Sequence, residues 1–142
     1  MKKLTSTLSL NTDAAALILR IIFGGMFIYH GWPKLENYDM MLQMFGDPIG
    51  IGTQLSLILV IFAEFFCGIF ILLGFATRFA VIPVFITMLV AYFVAHAQDE
   101  FMKKMLPFVY LFLCVVVFIL GSGKYSLDSL VFDRNRNNNL NT

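Results

Sequence analysis

The sequence predicts an all-α fold embedded in a membrane. The expected form is a four-helix bundle with both termini cytoplasmic and a short interfacial helix between helices one and two. Three observations predict it. The 142 residues are 59% hydrophobic and only 13% charged, about half the charge of a soluble domain. The apolar residues gather into four runs near the roughly 20 residues that a spanning helix needs. Lysine and arginine are unequally shared between the connecting segments on the two sides, and the richer side faces the cytoplasm.

The first helix is expected over residues 14–31, with Asn11, Thr12 or Asp13 as N-cap and Pro33 as the stop. Met1-Lys2-Lys3 imitates the start of a signal peptide. Arg20 interrupts the apolar run, however, and no small-x-small cleavage site follows cleanly, so the segment reads as a retained helix. Tyr38, Met41, Leu42 and Phe45 then repeat at helical spacing and predict a short amphipathic helix in the interface. Gly46, Pro48, Gly50 and Gly52 make an irregular return, which could equally dip into the bundle mouth as a lid.

The second helix is expected over residues 53–73 and ends at Gly74. The third covers 78–97, with Pro83 near its start. The fourth covers 104–120, with Pro107 in its first turn, where proline is tolerated, and Gly121-Ser122-Gly123 ends it. Ser126 and Asp128 are candidate caps for one more interfacial turn. Residues 1–132 form one domain, and the asparagine-rich stretch 133–142 reads as a disordered tail. One side carries Lys2, Lys3, Arg78, Lys124, Arg134 and Arg136, and the other carries Lys34, Lys103 and Lys104.

Composition also excludes functions. The net charge of +1, without a basic cluster, argues against a nucleic-acid partner. Cys67 and Cys114 lie in apolar runs and make no CxxC pair, so they read as small buried residues. No phosphate-binding glycine loop or nucleophile motif is present, and the chain has no room for a soluble catalytic domain.

Glu64 is the one charge in the apolar run 55–73, and Arg20 is similarly set in the run 14–28. Charge at such depth must be paired, protonated or turned to a polar cavity, and it marks function by default. Counting about 1.5 Å of rise per residue puts the two at similar depths, so Arg20 and Glu64 are expected to pair as a buried polar core. The plainer reading is an ion pair that locks helix register. Gly24, Phe27 and Gly31 share the Arg20 face, and Gly68 lies one turn after Glu64, so helices one and two can approach closely.

A second constellation lies toward the opposite end. His30 and Lys34 are four apart, as are Tyr92 and His96, with Trp32, Gln98 and Asp99 close in sequence. These residues form a candidate mouth for the polar head of a lipid-soluble substrate such as a quinone. The plainer reading is interface anchoring, which Trp, Tyr, His and Lys commonly provide. Bis-histidine haem on His30 and His96 matches the ligand types but would lie near the surface. No intrinsic cofactor and no metal are expected. The 16 phenylalanines and eight methionines read as packing and lipid-facing groups rather than as an apolar channel or a copper site.

Three stretches together resemble the DoxX family of mainly prokaryotic four-helix membrane proteins. They are Arg20-x-x-x-Gly24-x-x-Phe27-x-x-His30-Gly31-x-x-Lys34-Leu35, Glu64 with Gly68, Leu73-Gly74 and Thr77-Arg78, and Gly121-Ser122-Gly123-Lys124-Tyr125-Ser126-Leu127-Asp128. They occur in the family's order over about residues 14–132. Ser122 stands where the closing motif usually has proline, and Met105 where members often have glutamate. The resemblance implies a bacterial inner-membrane protein with a connection to quinone or thiol redox and stress metabolism. A quinone-linked oxidoreductase subunit or accessory is therefore expected, its electrons coming from a partner protein that carries flavin, haem or thiols. The alternatives are a non-enzymatic membrane scaffold for a partner, and a small-molecule transporter formed by homo-oligomerisation.

Overall fold

The computed structural model describes residues 11–131. The expected tail, 133–142, and the charges Lys2, Lys3, Arg134 and Arg136 lie outside the described residues. Among the described residues five helices follow in order, before a short helical turn over 127–131: α1 (Thr12–Glu36), α2 (Tyr38–Met44), α3 (Thr53–Leu73), α4 (Thr77–Ala95) and α5 (Phe101–Leu120). All but α2 are long and apolar enough to span a membrane. Among the described residues there is no strand. The chain is an integral membrane protein of the all-α class.

Asn11 caps α1, its side chain accepting a hydrogen bond from Ala14 N at 3.0 Å. Pro33 does not stop this helix, contrary to the expectation. Proline removes only one N–H, and the final turn is held by Asn37, whose backbone N and Nδ2 both donate to Pro33 O, at 3.0 and 3.1 Å. Pro107 also lies deeper than expected, because α5 already begins at Phe101. On α2 and its C-cap the four residues picked out by spacing, Tyr38, Met41, Leu42 and Phe45, are half-buried while their neighbours are exposed. That helix therefore lies on the bundle with the expected face inward.

Helices α1 and α3 touch at their backbones. A β-carbon at Gly24 would come within 2.7 Å of Gly68 O, and one at Gly31 within 2.7 Å of Phe65 N. Small residues permit such contact where no hydrophobic effect drives helices together. Phe23, Phe27 and Tyr110 form the aromatic centre of the core, with ring centroids 4.8 to 5.9 Å apart. Cys67 and Cys114 are buried free thiols in the same cluster. Phe62, Phe66, Phe79, Phe93 and Phe112 face outward, where lipid would cover them.

The closing segment returns to the start of the chain. Lys124 N donates to Asp13 Oδ1 at 3.0 Å. Asp128 ties the turn between α3 and α4, accepting from Ala76 N at 3.0 Å and from Ser122 Oγ at 2.5 Å. That turn needs tying, since Ala76 is a non-glycine residue in the left-handed region, at φ 45°. Ser126 Oγ accepts from Ser129 N at 3.1 Å and so caps the helical turn 127–131.

Candidate functional site

Two of the spanning helices carry a π-helical turn, over Phe62–Phe66 in α3 and Ala91–Ala95 in α4. Such turns put one extra residue into a helix and occur frequently at functional sites. Here the first contains Glu64 and the second ends directly before His96. Both side chains line the same cavity, of about 290 Å³, at the lower end of the range for small-molecule sites. A smaller cavity of about 160 Å³ adjoins it, sharing Glu64, Met88, Ala91 and His96 and adding His30 and Tyr110.

Glu64 is 7% exposed and pairs with Lys34, with Nζ to Oε2 at 2.5 Å. Lys34 Nζ also donates to His30 O at 2.9 Å. The expected Arg20–Glu64 pair is not formed. The reason is the direction of helical side chains, which lean toward the N-terminus of their own helix. Arg20 therefore leans to the terminal end of the bundle, whereas Lys34 leans inward and Glu64, on the antiparallel α3, leans toward Lys34. Arg20 is buried at 1% exposure, and its Nη2 donates to Tyr125 O. Its Nε and Nη1 meet no acceptor among the described residues. Arg20 thus fastens the closing segment and has no place in the cavity.

The structure brings His30, Lys34, Glu64 and His96 to the two adjoining cavities. Tyr92 lines neither of these. Its ring packs on Phe93 and Phe108, at 4.8 and 5.6 Å, with Lys104 Nζ 5.5 Å from its centroid. It belongs to the seam between α4 and α5, and Ala91 takes the cavity-facing position beside it. Tyr110 is a cavity residue that the sequence reading passed over. It lies on the face of α5 that also buries Pro107, Cys114 and Val117, and a hydroxyl on that otherwise apolar face was the available signal.

Two polar contacts frame the site from outside the spans. His96 Nδ1 lies 2.7 Å from Asp99 Oδ2, and this bond, ahead of the nearby lysines, holds the Asp99 carboxyl below the usual carboxylate range. Asp47 orders the return loop, accepting from Gly52 N at 2.8 Å, Ile51 N at 3.1 Å and Ser56 Oγ at 3.0 Å. The Gly52 bond is the main cause of its lowered pKa. The loop residues Phe45, Pro48 and Ile49 form part of the cavity wall.

The site can bind a ligand that is mostly apolar and ends in hydrogen-bond acceptors. A lysine ammonium, two imidazoles and a phenol line a mostly apolar space, with Ser56 and Thr87 also in its wall and one carboxylate as counter-charge. Among the described residues no three His, Cys, Asp or Glu side chains gather as a metal site would require. The DoxX family model matches residues 15–97, more than half of the chain. A Bacillus subtilis (strain 168) protein named "Putative oxidoreductase CatD" is 28% identical over 130 residues, covering 90% of this chain and 95% of that protein. No solved structure matches significantly.

Proposed function

The chain belongs to the DoxX family, and on that premise we propose that it is a quinone-linked subunit or accessory of a redox system in the bacterial inner membrane. The observation that carries the reading is the convergence of Lys34, Glu64, His30 and His96 on two adjoining, largely apolar cavities that share Glu64 and His96. The name of the Bacillus relative supports a redox role of the same general kind.

A quinone takes up two electrons and two protons to become a quinol. Lys34 and the histidines are suited to hydrogen-bond the quinone oxygens, and Glu64 fixes the position of Lys34 through their ion pair. The electrons come from a partner protein, through a flavin, a haem, or two thiols that leave as a disulfide and release two protons.

Equilibrium binding of ubiquinone-1 to the purified protein tests the proposal. Wild type is expected to bind it. Glu64→Gln, which frees Lys34 from its partner, is expected to weaken binding by about tenfold, roughly 1.4 kcal/mol. Absence of binding by wild type would favour the scaffold reading.

A further inference from the structure

We infer that the ligand of this cavity is a tailed, membrane-dissolved molecule that enters sideways from the bilayer, between α3 and α4. The inference rests on the cavity being a ligand site, as proposed above, and adds the ligand's form and its route.

The walls decide the route. Toward α1 the cavity is shut by the backbone contact between Gly31 and Phe65. At the α5 side the smaller cavity narrows onto the buried Pro107 and Tyr110, with Leu106, 47% exposed, beside them. The loop over the end of the bundle is ordered by Asp47, which accepts two hydrogen bonds from within the loop, at Ile51 and Gly52, and one from Ser56 on α3. Leu59 on α3 and Ile86 on α4 line the cavity and yet are 46% and 54% exposed, and Ile49 on the loop is 46% exposed in the same way. Side chains that face both the inside and the outside mark an opening.

That opening lies in the hydrocarbon layer. Leu59 is six residues into α3 and Ile86 nine before the end of α4, so they sit roughly 9 and 14 Å below the ends of their helices at about 1.5 Å per residue. The hydrocarbon core is about 30 Å thick. The gap therefore meets acyl chains rather than water. Val60 and Val90 continue the apolar lining inward to Glu64 and His96. A polar head would stop at those groups while an apolar tail ran out between Leu59 and Ile86.

A shallower cleft beside the loop, lined by Phe45, Pro48 and Ala95, is the competing entrance. The two routes are separated by a ubiquinone analogue with a photoreactive azide on its tail, applied to the full chain in lipid nanodiscs. Labelled peptides are mapped by mass spectrometry, with tail-less ubiquinone-0 as competitor. The expected label falls on the segments around Leu59 and Ile86, and ubiquinone-0 displaces it. Leu59→Trp with Ile86→Trp, which narrows the gap between α3 and α4, is expected to cut this labelling at least fivefold. Displaceable label on the loop around Pro48, or at Ala95, would overturn the lateral route and leave the quinone reading standing. Labelling that is undiminished in the tryptophan variant would also overturn it. If ubiquinone-0 neither binds nor displaces the label, the quinone reading itself fails, and the inference with it.

Discussion

At the scale of single residues, the molecule depends on where side chains point as much as on where they sit in the sequence. Arg20 and Glu64 could each be singled out from the chain as a charge in an apolar run. Their partners could not, because helical rise fixes depth but not the lean of the side chain. The spacing places Lys34 in the polar mouth, and its side chain turns back into the bundle to meet Glu64. Glycines offer the sharpest test at this scale. A β-carbon at Gly24 collides with the backbone of α3, whereas one at Gly25 meets nothing within 4 Å. Gly24→Ala should therefore lower the melting temperature in detergent, by an amount that corresponds to about 1–3 kcal/mol of overpacking. Gly25→Ala should leave it level or raise it. Equal melting temperatures for the two variants would refute the close helix contact.

At the scale of elements, the spanning helices and the inward face of α2 were legible because hydrophobic runs and helical periodicity are direct consequences of burial. The π-helical turns were not. Nothing in Phe62–Phe66 or Ala91–Ala95 announces an extra residue per turn, yet these turns carry Glu64 and lead to His96. Tyr110 escaped for a related reason, since its role appears only once α5 is packed against α1. The loop from Phe45 to Gly52 could be read as irregular, and the structure adds that Asp47 holds it. The Asp47 carboxylate has a lowered folded pKa, so its contribution to loop order is fully present at neutral pH. It begins to fall as pH drops into the ordinary carboxylate range near 4, and it is lost as pH passes through the lower folded value. Amide hydrogen exchange at Ile51 and Gly52, corrected for the intrinsic pH dependence, should lose protection on acidification. In Asp47→Asn protection should already be reduced at neutral pH, with little further dependence. Protection in wild type that stays constant to pH 3 would contradict this role.

At the scale of the whole molecule, the bundle has two unlike ends. One is closed by hydrogen bonds that join Asp13, Arg20 and Ala76 to the C-terminal motif. The other holds the cavity and its polar groups beneath the Asp47 loop. The distribution of lysine and arginine predicts that the closed end faces the cytoplasm. A green fluorescent protein fused after Thr142 should then fluoresce, and alkaline phosphatase fused there should be inactive. The reverse pair of results would invert the orientation and place the cavity near the cytoplasmic face. A cavity on the outer side would receive or release its protons there, so orientation decides where quinone chemistry couples to the aqueous phase.

The two adjoining cavities lined by Lys34, Glu64, His30 and His96 are proposed to hold a quinone. The most direct measurement is the quinone extracted per mole of protein purified in mild detergent, for wild type and for Glu64→Gln, with quinone also added back during purification. About one quinone per chain in wild type, and a large drop in the variant at unchanged yield and melting temperature, is the predicted result. No quinone in wild type even after addition, or equal amounts in both proteins, would contradict it.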